Sequence, residues 1–147
     1  MVAVAAAVFL CLSLGFHAGK EASIKYRDVA ASSLSGCTQR EGPGDVNQNC
    51  IRIDYTGNFV EQINGYIQSG KAPFFPQGVC DIDVVMWGQP MDGPPFRVTH
   101  HASGCSEISR GAFYKIAKPL VPGSQVCSRT LWQNSWSTPA CVTVQHP

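Results

Sequence analysis

Residues 124–144 read SQVCSRTLWQNSWSTPACVTV. Two runs rich in Val, Thr, Trp and Leu flank a short polar turn, Gln133, Asn134 and Ser135, which is the pattern of a β-hairpin. With Asn134 at the centre of the turn, Trp132 faces Trp136, Thr130 faces Thr138, and Cys127 falls opposite Cys141. Cysteines opposed across an antiparallel pair lie about 4.5–5.5 Å apart, Cα to Cα, which is disulfide range. The hairpin is therefore predicted to carry its own staple. Pro139 has no N–H to donate to a ladder, so the second strand is predicted to be an edge. Val126, Ala140 and Val142 share the face of Trp132 and Trp136, which marks that face as the core side.

The cysteine at each end of this hairpin belongs to a larger set. The chain has 147 residues and seven cysteines. Its opening, MVAVAAAVFLCLSLGFHA, contains no Lys, Arg, Asp or Glu, and its apolar run is too short to span a bilayer. Residues 1–18 thus read as a secretory signal, on the strength of the apolar run and the small residues near its end, although the usual positive n-region is missing. Cleavage after Gly15 and cleavage after Ala18 both fit. Removing the leader removes Cys11 and leaves six: Cys37, Cys50, Cys80, Cys105, Cys127 and Cys141. An even number behind a signal predicts three disulfides, with all six thiols oxidised and, before any pairing is assigned, about 15 connectivities open. The six are separated by 12, 29, 24, 21 and 13 residues. Zinc sites need close pairs such as C-x-x-C, so no metal is expected.

The mature chain is long enough for one domain with one core and too short for two. It divides into a lead-in, 19–36, flexible or forming an edge strand, and a disulfide-stabilised domain, 37–147. A formal net charge of +1 makes no case for nucleic acid or an anionic membrane surface. The loop REGPGDVNQN, dense in turn-formers, lies between Cys37 and Cys50; a bridge between those two would close it. From Cys50 to Tyr55 apolar and charged residues alternate as in a half-buried strand. A helix of about 11 residues is predicted to follow, with Asn58 as N-cap, Glu61 completing a capping box, Val60, Ile63 and Ile67 at helical spacing, and Gly70 just past its end. The segment KAPFFPQG holds two prolines and places Phe74 and Phe75 on a loop.

Cys80, Ile82, Val84 and Met86 alternate with Asp81 and Asp83, and after the turn GQPMDGPP the chain returns with Phe96 and Val98 inward and Arg97, Thr99 and His101 outward. This is a second hairpin, on whose outer face Asp81 or Asp83 can meet Arg97. Residues 112–117, AFYKIA, fit a helical turn or a strand equally. About five short strands and one helix give an α+β class: a small, disulfide-stapled antiparallel sheet with one main helix packed on one face.

Three groups of residues bear on function. His101, Glu107 and Arg110, with His100 adjacent, are the residue types that small secreted ribonucleases use to move protons and hold phosphate. Neighbours on a strand point to opposite faces, so His100 and His101 share a site only if the strand is bulged. Asp81 and Asp83 share a strand face, as the paired carboxylates of a glycosidase do, but two aspartates on the solvent side of a strand are ordinarily just solvated. Trp132, Trp136, Phe74 and Phe75 are candidate binding aromatics, which stack on sugars or anchor a protein partner when exposed and close the core when buried. No serine nucleophile motif, phosphate-cradling glycine loop or cofactor motif occurs, and no cofactor is implied.

The charge-free leader, the six spaced cysteines, the Pro/Gly-rich turns and the mature length together make the chain resemble the small secreted cysteine-rich proteins of fungi, a class with effector-like and killer-toxin-like members. The resemblance lies in organisation and implies extracellular action on a host or competitor protein or on a cell-wall glycan. It transfers no site residues. The first reading of function is a secreted, non-enzymatic binding or effector-type protein with no membrane span. The second is a small ribonuclease-like hydrolase, the only reading in which nucleic acid is a partner. The third is a carbohydrate-binding module using Trp132 and Trp136.

Overall fold

In the computed structural model, alternation of buried and exposed side chains runs through most of the described residues. The structure describes residues 32–39, 47–69 and 78–147. The leader, most of the lead-in, and residues 40–46 and 70–77, with Phe74 and Phe75, lie outside the described residues. Every regular element described is a strand: β1 (Ser32–Gln39), β2 (Gln48–Thr56), β3 (Phe59–Gln68), β4 (Val79–Gly88), β5 (Phe96–Ser106), β6 (Ser109–Pro119), β7 (Gln125–Trp132), β8 (Ser135–Trp136) and β9 (Ala140–Thr143). They form two antiparallel sheets, β1-β2-β3-β6 and β5-β4-β7-β8, with β9 also paired to β7. The chain crosses between the sheets after β3, β5 and β6.

The fold is therefore all-β, and the α+β expectation is wrong at one element. Residues predicted as a helix form β3. Asn58 caps no helix: with Gly57 it makes the two-residue turn between β2 and β3, and its side chain donates to the Leu120 carbonyl at 3.1 Å. The helical spacing has a different origin. Ile63 and Ile67 are four apart, which suits a period of two as well as one of 3.6. Between them Gly65 also faces inward, but it has no side chain to show the alternation; a Cβ there would lie 2.6 Å from Val84 Cγ1, so glycine is what lets the sheets approach. The odd step from Val60 to Ile63 is a β-bulge: relative to β2, Glu61 is an extra residue, and both Val60 and Ile63 end fully buried. The ambiguous segment 112–117 lies within β6.

The terminal hairpin forms with one change of register. Gln133 and Asn134 both have positive φ, 50° and 59°, so the turn has two residues, of the type that matches strand twist. Trp132 then opposes Ser135, and Trp136 opposes Leu131 in place of Trp132. The strand regains the expected register by Ser128–Ala140 and Cys127–Cys141, the extra residue being absorbed around Pro139. The pairing of Arg97 is also different from expectation. Arg97 opposes Trp87, with its guanidinium carbon 5.2 Å from the ring centroid, while Asp83 opposes His101.

All three disulfides join directly opposed residues of neighbouring strands: Cys37–Cys50 across β1 and β2, Cys80–Cys105 across β4 and β5, and Cys127–Cys141 across β7 and β9. Their Cα–Cα distances are 4.1, 4.0 and 4.1 Å. Each locks one hairpin within its own sheet, worth about 3 kcal/mol per bridge by loop entropy. What holds one sheet to the other is the core: Ile51, Ile53, Val60, Ile63 and Ile67 from the first, against Ile82, Val84, Met86, Val126 and Val142 from the second. Each such side chain contributes about 1.5–3 kcal/mol on burial.

Candidate functional site

β6 is the edge of one sheet and β5 the edge of the other, and they run side by side along one open flank. Alternation sets what each shows there. On β5, Phe96, Val98 and His100 turn inward, and Arg97, Thr99 and His101 turn out to solvent. On β6, Tyr114 turns inward and stacks its ring 5.7 Å from His100 and 5.8 Å from Phe96. At the same edge a groove of about 480 Å³ opens, lined among others by His100, His101, Ser103, Arg110 and Phe113.

Of the three residues proposed for proton transfer, the structure brings together two. His101 and Arg110 line this groove, whereas Glu107 is exposed in the two-residue link between β5 and β6 and is not among its described lining. His100 and His101 point to opposite faces of β5, and the groove reaches both because it wraps the edge of the strand. His101 Nδ1 lies 2.8 Å from Asp83 Oδ1, an exposed pair. Asp81 is at a bulge with φ of 48° and accepts the Gly104 N–H at 2.9 Å. The two aspartates thus have separate local partners. Gly104 in turn lies against Arg110, since a Cβ there would be 3.5 Å from Nη2. Among the described residues, the buried Nε of Arg110 has no hydrogen-bond partner.

A second groove, of about 350 Å³, lies on the outer face of the first sheet. Arg52, Asn64 and Phe113 form one row across β2, β3 and β6, with Tyr66 opposite Gly111 in the next. Tyr66 requires that glycine: a Cβ on residue 111 would sit 2.4 Å from Tyr66 Cβ and from the Gly65 carbonyl oxygen. Phe113 is 69% exposed, the most of any large apolar side chain described. Both grooves include Gly111 and Phe113, so they meet over β6.

The aromatic residues singled out from the sequence lie elsewhere. Trp132 is partly buried against the core, and Trp136, 43% exposed, has the Arg129 guanidinium 4.3 Å from its ring centroid. Sequence reasoning missed Arg52, Tyr66 and Phe113. A signal was present in the exchange of a ring for a glycine across a strand pair, but it is readable only once residues 59–68 are known to be extended. Among the described residues, no group of three His, Cys, Asp or Glu side chains is placed to hold a metal ion, and no helix is long and apolar enough to cross a membrane. Comparison of the chain with protein-family models, with curated proteins and with solved structures finds no match.

Proposed function

We propose that the chain is a secreted, non-catalytic binding protein whose recognition surface is centred on Phe113, at the β6 edge, and whose partner is an extracellular glycan. The observation that carries this reading is the exposure of Phe113, 69%, on a rigid strand beside Tyr66, Asn64 and Arg52. An exposed ring flanked by amide and guanidinium donors suits a sugar, whose apolar ring face stacks while its hydroxyls accept hydrogen bonds. Three formed disulfides fit a small cysteine-rich protein of extracellular type.

The test is retention of the purified full chain on a panel of chitin, cellulose, β-glucan, alginate and heparin. At least one is expected to retain it, and Phe113→Ala to weaken retention about tenfold, the value of one well-placed aromatic. Retention on none, or retention indifferent to that change, overturns the reading. The ribonuclease-like reading keeps one supporting observation, the shared groove of His101 and Arg110. No cleavage of single-stranded RNA is expected; cleavage abolished by His101→Ala would replace binding with hydrolysis.

A further inference from the structure

We infer that the glycan is acidic: the groove at the β5/β6 edge holds a carboxylate or sulfate group on Arg110 and His100, while Phe113 carries the adjoining sugar ring. This rests on the binding function proposed above and narrows its ligand class.

Charge and hydrogen bonding carry the inference. Each of the two grooves that meet at Phe113 contains one guanidinium, Arg110 in one and Arg52 in the other, and neither has an Asp or Glu among its described lining. The neighbouring carboxylates each have a local partner: Asp81 accepts the Gly104 N–H at 2.9 Å, Asp83 lies 2.8 Å from His101 Nδ1, and Asp54 lies 2.6 Å from Gln62 and 3.2 Å from Arg52, whose charge it partly offsets. Arg110 lines the groove, and its terminal Nη groups form a planar fork matched to carboxylate and sulfate oxygens, so they are the atoms an anion seated there engages; its Nε is buried away from the opening. The imidazole of His100 and the hydroxyl of Ser103 line the same groove and can donate to that anion.

Spacing favours a chain over a small free anion. Arg52 shares the outer face with Phe113, two strands away and about 10 Å off, whereas Arg110, three residues from Phe113 and opposite the buried Ile67, starts from the other face of β6 and meets the groove at the strand edge. One guanidinium thus approaches the ring along the outer face and the other from round the edge, which suits an extended polymer that wraps the edge. Nucleic acid is the other polyanion. It is disfavoured because successive bases call for successive stacking platforms, and among the described residues Phe113 is the one exposed Phe, Tyr or Trp ring lining the two grooves, Tyr66 beside it being half-buried. An oxidising compartment also makes polysaccharide the polyanion at hand.

The experiment measures binding of the full chain to alginate, heparin, neutral dextran and poly-uridylate, at about 50 mM and about 200 mM salt. Alginate or heparin is expected to bind, less tightly at the higher salt, and the stronger of the two identifies the acid group as carboxylate or sulfate. Dextran and poly-uridylate are expected to bind at least about tenfold more weakly. Arg110→Gln and Arg52→Gln should each lower the affinity about tenfold, the scale of a lost charge-assisted bidentate contact. Arg97→Gln, on the opposite sheet over Trp87, should leave it unchanged. Arg52 is exposed, so that variant tests the charge even if Arg110→Gln fails to fold. Dextran binding as well as the acidic polymers, or affinity untouched in the folded Arg52 and Arg110 variants, overturns the inference. Tighter binding of poly-uridylate does the same in favour of nucleic acid. Binding to neutral glycans that depends on Phe113 but not on Arg110 would end the acidic reading and leave the binding function standing.

Discussion

The two flanks of this sandwich are built in opposite ways. On one, β1 and β9 approach closely and the polar groups between the sheets are satisfied: Asn49, fully buried, donates to the Ser128 and Thr138 carbonyls at 3.0 Å each and accepts from Thr130 Oγ1 at 3.2 Å. Thr38 donates to the same Thr138 carbonyl. On the other, β5 and β6 are joined by only two residues, and between them lie a groove, an inward histidine and an arginine Nε with no described partner. A closed polar network specifies one packing and holds it. An unsatisfied one costs stability. The contrast separates the flank that fastens the sheets from the flank that carries the proposed site.

The sharpest way to break this contrast is Asn49→Ala, which removes three hydrogen bonds from the core, although the Thr138 carbonyl keeps Thr38 and the Thr130 hydroxyl keeps Ser137. A loss of about 3 kcal/mol is expected in urea unfolding with an unchanged slope, at about 1 kcal/mol for each buried hydrogen bond lost. The Cys80→Ser/Cys105→Ser double variant, at the open flank, should cost about 3 kcal/mol by loop entropy, in the same measurement. Phe113→Ala should shift stability by no more than about 0.5 kcal/mol, since its ring is mostly in water, while binding falls as above. Asp83→Asn alters an exposed side-chain contact with His101, and a change of only a few tenths of a kcal/mol is expected in thermal unfolding. An Asn49 variant no less stable than the Asp83 variant would show that the closed flank is not what fastens the sheets.

The hairpins were legible because opposition across a strand pair is local: Cys127 and Cys141 were placed from a turn six residues from the nearer of them. Cys80–Cys105 was not, although the hairpin containing it was. A bulge between Cys80 and Ile82 moves the partner by one position, and no residue pattern announces it. The same kind of irregularity at Glu61 turned a strand into an apparent helix, and a two-residue turn in place of three took Trp136 off the core face. At the site, the histidines and Arg110 could be named from residue type alone. That His101 and Arg110 share a groove while Glu107 does not depends on β5 and β6 leaving their separate sheets side by side.

By itself, the order of residues determined the six oxidised cysteines, the β4–β5 hairpin and the terminal hairpin with its staple, because each rests on chemistry within a few residues or on direct strand opposition. Only the tertiary structure decided that segment 59–68 is a strand, that two sheets stack, and that Arg52, Arg110 and Phe113 surround one edge. The physical reason is that local periodicity with one inserted residue or one glycine fits two conformations. Burial of Val60, Ile63 and Ile67 against the second sheet selects between them, and that is a contact no local stretch contains.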